Sequence, residues 1–299
     1  MKPDICIYHA PCSDGFGAAW AVQKRWPDIE FVAGVYGAPP PDVAGKHVLM
    51  VDFSFKRPVL EEMSRNAFSI TILDHHKTAQ ADLETFAVFN PVDADDIDAI
   101  VAATQPGLGN IRAIFNMEKS GAILAWEFCH PTVPAPQLLR YVQDRDLWRF
   151  ELPASRAIAA TVFSYPYAFK TWDALESLLA TESGFHDAVH SGDAIERKHH
   201  KDIAELLKNT TRRMTIGGVD VAVANLPYTM ASDAAGILAE GAPFGACYFD
   251  RTDGLRVFSL RSRGEGGADV SAIAAAYGGG GHRNAAGFQA PLGWEGDAR

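Results

Sequence analysis

Four short apolar runs dominate the first quarter of the chain: DICIYH (4–9), IEFVAGVY (29–36), HVLMVDF (47–53) and FSITILD (68–74). Two stretches between them, GFGAAWAVQKRW and RPVLEEMSRN, carry apolar residues at helical spacing, and a Pro-rich turn follows the second run. Continuous apolar strands separated by helices predict a parallel sheet covered on both faces. In open sheets of that kind ligands bind beyond the carboxyl ends of the strands. His9, Asp52 and Asp74 each fall at such an end.

From Ser120 the pattern turns helical: SGAILAWEFCH, APQLLRYVQDRD, and a largely helical stretch to about residue 209. Ser120 predicts an N-cap, and Pro134 and Pro136 break the run between two helices. SGDAIERKHHKDIAELLKNTTRR reads as a long polar helix suited to join two domains. Beyond it, RMTIGGVDVAVANL and FGACYFDRTDGLRVFSLRSR each predict two strands around a Gly-Gly or Asp-Gly turn, followed by the helix-like SDAAGILAE and DVSAIAAAY. The fold class expected is therefore α/β: an N-terminal open, mainly parallel sheet with helices on both faces (1–190), a helical linker (191–211) and a smaller C-terminal α+β domain (212–299). The acidic run DADDID (93–98) lacks the Gly and distal Glu of a calcium loop and is expected to be a solvated loop.

Composition narrows the function. The 299 residues carry a formal charge of −10, which argues against broad binding of long duplex nucleic acid. Residues 1–204 hold 18 Lys and Arg against 27 Asp and Glu, whereas residues 205–299 hold 9 against 10. A multivalent cation thus suits the first part, and an anion must find local basic groups in the second. No apolar run is long enough to span a membrane and the N-terminus lacks a signal-peptide pattern, so a cytoplasmic location is expected. The four cysteines form no CxxC pair and are expected to be reduced thiols.

The chemistry resides in carboxylates and imidazoles: His9 and Asp14 in HAPCSDGF, Asp52 in VDFS, Asp74, His75 and His76 in LDHHKTA, and Asp144 or Asp146 in QDRDLW. Hard divalent ions take such ligands, and two of them close together can clamp a phosphoryl group. In the C-terminal part, GGGGHRNAAGF (278–288) offers backbone N–H groups for close approach to an anion, and FSLRSR (258–263) places Arg261 on a strand, on the side shared by Ser259 and Arg263. The second His pair, in RKHHK, is expected on a solvated face. Trp20, Trp126, Trp148 and Trp172 are expected in the core.

LDHHKTA, together with HAPCSDGF, VDFS and the C-terminal GGGGHRNAAGF, resembles the DHH phosphoesterase superfamily with its associated DHHA-type domain, over nearly the whole chain and in family order. The resemblance implies a hydrolase with two Mn²⁺ ions in the first domain, Mg²⁺ or Co²⁺ being alternatives, and substrate-binding groups in the second. His9 would ligate the first ion, Asp14 and His75 the second, and Asp52 would bridge them; Asp74 and His76 would orient His75 and support the reacting phosphate. Asp144, with Trp148 four residues on, matches the fourth motif and is preferred over Asp146, for which a surface or capping role is the alternative. Gly280, Gly281, His282 and Arg261 would grip the substrate phosphate. One departure stands out: the family's Asp-x-Asp has Cys12 in place of its earlier aspartate, which weakens the expected first site.

The activity expected is hydrolysis of phosphodiester bonds in short oligonucleotides or related small nucleotides. The alternatives are an exopolyphosphatase-type enzyme and a catalytically impaired nucleotide sensor. No membrane partner is expected, and a homodimer is left open.

Overall fold

The computed structural model describes residues 2–89, 110–264 and 266–298, which form two units: 2–75, 79–89 and 110–196 in the first, and 76–78, 197–264 and 266–298 in the second. The DADDID run lies outside the described residues.

The first unit is built on a six-stranded sheet of β1 (Ile5–His9), β2 (Glu30–Gly34), β3 (His47–Val51), β4 (Ser69–Asp74), β5 (Ala87–Phe89) and β6 (Ile111–Phe115), in the order β2-β1-β3-β4-β6-β5. All pairings are parallel. Alternation along each strand explains the unbroken apolar runs. Ile5 and Ile7 of β1, Val48 and Met50 of β3, and Ile70 and Ile72 of β4 pack on one face with Leu60 and Met63 of α2 (Arg57–Ser64). Cys6, Leu49, Val51 and Leu73 point to the other, where α1 (Ser13–Arg25) packs; α3 (Lys77–Asp82) follows β4. That second face is also covered by α4 (Gly121–Cys129), α5 (Gln137–Asp146), α6 (Ser155–Phe163) and α7 (Phe169–Leu179). Trp20, Trp126 and Trp172 are buried there, as expected.

The helix after β1 and the helix after β3 therefore cover opposite faces, and β2 and β3 flank β1 on opposite sides. The strand order thus reverses at β1 and β3, which opens a crevice at their carboxyl ends. His9 closes β1 and Asp52 follows β3 at that crevice. The sequence reading missed both β5 and β6, of which β6 inserts between β4 and β5. The four cysteines are free thiols.

Helix α8 (Glu182–Thr210) runs through the division between the units. The second unit carries another six-stranded sheet, of β7 (Thr211–Ile216), β8 (Val219–Asn225), β9 (Gly245–Asp250), β10 (Leu255–Arg261), β11 (Gly280–His282) and β12 (Ala285–Pro291), in the order β11-β12-β10-β9-β8-β7. Its pairings are antiparallel except β8 with β9, which are joined through α9 (Tyr228–Leu238). Gly217 and Gly218 both take positive φ, +59° and +72°, the condition for the tight turn between β7 and β8. The short α10 (Val270–Ala276) packs on the face opposite α9, among Phe258, Leu260 and Phe288.

Asp269 caps α10 by accepting the backbone N–H groups of Ser271 and Ala272. Its hydrogen bond from the Ser271 hydroxyl, against the opposing effect of burial, and its bond from Lys77 lower its pKa to about 2. A depressed carboxylate contributes stability that is complete above its unfolded pKa and is lost as pH falls through the folded one. Asp269→Ala is expected to destabilise the protein at neutral pH by ~1 kcal/mol. Thermal unfolding of both proteins should show the difference shrinking below pH ~4, toward the folded value.

Candidate metal centre

His75 follows β4 and is almost wholly buried, so its imidazole faces only protein. Its Nε2 lies 3.0 Å from Asp52 Oδ1, 3.5 Å from Asp14 Oδ2 and 3.6 Å from Asp146 Oδ2. His9, at the end of β1, brings Nδ1 to 3.4 Å from Asp52 Oδ2. Asp52 is thus contacted by both imidazoles, one at each carboxylate oxygen.

The electrostatics of this cluster are costly without a cation. Burial drives the Asp14 carboxyl well above the usual range, and the neighbouring Asp52 and Asp146 push it further; the His75 imidazole and a hydrogen bond to Ser120 only partly oppose this. Burial alone would lower the pKa of His75, but its hydrogen bond to Asp52 and the charges of Asp146, Asp52 and Asp14 outweigh it and raise the pKa well above the usual value. In His9 the same contest is decided in the same direction by Asp52, Asp74 and Asp14. Carboxylates and imidazoles crowded this closely fit a hard divalent cation, which would replace protons as the neutralising charge. The ligand atoms of Asp14, His75 and Asp146 lie within 4.8 Å of one another, and so do those of His9, Cys12 and Asp52. Cys12 thus sits beside His9 and Asp52, two ligands of the expected first site.

The local backbone is shaped to bring these groups together. Asp52 has φ of +55°, a left-handed conformation that costs an ordinary residue ~1–2 kcal/mol, and it is held there as its N–H donates to Leu73 O. Asp14, fully buried, accepts the N–H groups of Gly121 and Ala122 at 2.6 and 3.0 Å, satisfying the orphan donors of the first turn of α4. A Cβ on Gly121 would stand 2.4 Å from Asp52 Cβ, and one on Gly15 would stand 2.2 Å from His9 O. Glycine at both places permits the close approach.

The fourth-motif expectation is corrected. Asp144 is buried, and its carboxylate accepts the backbone N–H groups of Glu151 and Leu152 at 3.0 and 3.2 Å. Asp146, two residues on and about 200° around the helix, is the residue beside His75. The spacing to Trp148 misled because it tests distance along the chain and not the face of the helix. Asp74 is fully buried at the end of β4, and its Oδ1 accepts the N–H of His75 at 2.7 Å, so it fixes the turn that presents the imidazole. Tyr36, which the sequence reading did not single out, sets its ring edge-on against His9 at 5.3 Å. Only its place just beyond β2 could have drawn attention to it.

The remaining expected residues belong to the second unit. His76 stacks on His282 with ring centroids 4.9 Å apart. Ala285 of β12 is paired with His282 on one side and Arg261 on the other, so the three stand in one row across the sheet. Arg261 donates through Nε and Nη2 to Ser232 Oγ and through Nη1 to Leu260 O. Gly280 and Gly281 lie in β11, where a Cβ on Gly281 would meet Ala285 O at 2.5 Å. Close strand pairing accounts for glycine at that position. Arg263 is tied to α9, donating to Gly236 O and Glu240. His199 of the RKHHK run lies 3.1 Å from Asp233, so that face is not simply solvated.

No family model matches the sequence. An uncharacterized protein of Acanthamoeba polyphaga mimivirus is 29% identical, over 95% of this chain and 67% of its own length. Solved structures with a similar backbone course include a pGpG-specific phosphodiesterase from Vibrio cholerae (14% identity, TM-score 0.45, 96% of this chain and 93% of that one). The DHH domain of a protein described as a member of a ribosomal-protein family is also similar (14%, 0.46, 97% and 83%). So is an uncharacterized protein from Helicobacter pylori (14%, 0.44, 96% and 92%). At these identities and scores the likenesses assign no activity to this chain. No helix among the described residues is long and apolar enough to cross a membrane.

Two substitutions separate the aspartates. Asp146→Ala is expected to weaken Mn²⁺ binding at least about tenfold in calorimetric titration, with folding intact. Asp144→Ala is expected to cost ~1–3 kcal/mol in denaturant unfolding, because it strands two backbone donors. A third, Asp52→Asn, removes charge from the crowded cluster while keeping a residue that tolerates left-handed backbone. It should raise the melting temperature of metal-free protein by about 2 °C or more while abolishing its stabilisation by Mn²⁺.

Proposed function

We propose that the protein is a metal-dependent phosphohydrolase acting on phosphodiester bonds of short oligonucleotides or related small nucleotides. The observation that carries this reading is the convergence of Asp14, Asp52 and Asp146 on the buried His75, with His9 on the far side of Asp52. Such a set suits divalent cations, since crowding three carboxylates, two of them buried, against one buried imidazole opposes folding. His9 and Asp52 would hold one ion, with Cys12 as its weak third neighbour, and Asp14, His75 and Asp146 the other, Asp52 serving both. Mn²⁺ suits the mixture of imidazole and carboxylate, and Mg²⁺ or Co²⁺ are the alternatives. When bound, such ions supply Lewis acidity toward phosphoryl oxygens and lower the pKa of water in their shell.

The chain's own residues account for the rest. Asp74 locks the turn that aims His75. Arg261, whose guanidinium is aligned by Ser232, and His282 in the same row of the sheet are suited to a phosphate group. The acidic surface favours a short substrate over a long duplex. An exopolyphosphatase remains the second reading, because the same phosphate groups would serve an anhydride.

The test is release of mononucleotide from a 5′-phosphorylated RNA dinucleotide in Mn²⁺, with polyphosphate in parallel. Release is expected to stop in EDTA and to fall at least about 10²-fold in Asp52→Asn. Phosphate from polyphosphate without cleavage of the dinucleotide would transfer the assignment to the anhydride branch.

A further inference from the structure

The segment that supplies Asp146 also builds something the metal centre does not use. Immediately after α5 the chain turns back through Trp148 and Phe150, whose φ angles are +59° and +55°, and Ala154 follows at +53°. Among the described residues other than glycine only Asp52 shares this conformation, so three of the four such backbones lie in one short loop. Left-handed backbone at two bulky aromatics is held against its cost, and Asp144 is what holds it. Its backbone carbonyl accepts Arg149 and Phe150, and its carboxylate accepts Glu151 and Leu152.

The loop presents a layered stack of rings and guanidinium groups. The Arg145 guanidinium lies 4.2 Å from the Trp148 ring and also faces Phe150 and Phe163, at 5.5 and 5.8 Å. Arg156 lies 3.7 Å over Phe150. Trp148 and Phe150 meet edge to face at 5.0 Å, and Phe163 is 43% exposed. Arg156 is exposed and makes no ion pair among the described residues. A protein of net charge −10 thus gathers two cations on a cluster of rings, directly beside the aspartate that faces His75.

We propose that Arg145, Trp148, Phe150 and Arg156 form a stacking platform for a short single-stranded oligonucleotide, holding its bases and phosphates as the strand enters the metal centre. Bases offer flat faces to rings and to guanidinium planes, and the phosphates between them pair with arginine. A polyphosphate would satisfy only the cations. The proposal deepens the phosphodiesterase reading and rests on it, and it selects oligonucleotide over polyphosphate as the substrate.

The experiment is fluorescence anisotropy of a 5′-fluorescein pentanucleotide, RNA and DNA in separate arms, titrated with protein in excess EDTA. An abasic oligomer of equal charge and a polyphosphate serve as competitors. Arg156→Glu is expected to weaken binding at least about tenfold and Phe150→Leu severalfold, with melting temperatures unchanged. Lys2→Glu, a charge change at an exposed ion pair, should move it less than about twofold. The abasic oligomer should compete poorly. No binding by the native protein, equal losses in Arg156→Glu and Lys2→Glu, or equal competition by the abasic oligomer would each overturn the platform. Chelation removes turnover from this readout, so the outcomes separate. Binding with no hydrolysis after Mn²⁺ is restored would reject the hydrolase and keep the platform; hydrolysis without platform-dependent binding would do the reverse.

Discussion

The first unit is organised around an electrostatic conflict: Asp14, Asp52 and Asp146 are brought onto one buried imidazole, His75, at the carboxyl edge of a parallel sheet. Each carboxylate there raises the cost of ionising the next. The fold tolerates this because three of the four groups are anchored by backbone hydrogen bonds or strand geometry. Asp14 is fixed by the first-turn amides of α4, Asp52 by its bond to Leu73 O, and His75 by its neighbour Asp74. Positions so held resist relaxing apart, and a divalent cation is a charge that would resolve the conflict.

Asp144 and Asp146 show how one helix end divides labour. Two residues apart, they point to different sides of α5. One carboxylate ties down the loop that follows, and the other faces the cluster. The loop tied down by Asp144 is the one that carries Trp148 and Phe150 in left-handed backbone. A single buried carboxylate therefore sets the shape of the stacking surface beside the centre, and Trp148 is a half-buried member of that surface rather than of the core.

In the second unit the sheet's register does comparable work. Pairing both Arg261 and His282 with Ala285 places a guanidinium and an imidazole in one row, although they are 21 positions apart in the chain. The glycine run around β11 answers to this pairing, since a side chain at Gly281 would strike the neighbouring strand.

The parallel sheet, the helical middle, the hairpin at Gly217 and Gly218, and the placement of His9, Asp52 and Asp74 at strand ends are all legible in the amino-acid sequence. Those follow from local periodicity and turn chemistry, which a chain carries in the order of its residues. Tertiary packing settled what depends on direction in space. It chose Asp146 over Asp144, inserted β6 between β4 and β5, drew Tyr36 against His9, and took Trp148 out of the core to stack with Arg145. The physical reason is common to all four: spacing along the chain fixes which residues are neighbours on an element, but the face each one turns to a partner is set by the packing of distant elements and by backbone hydrogen bonds that no local pattern records.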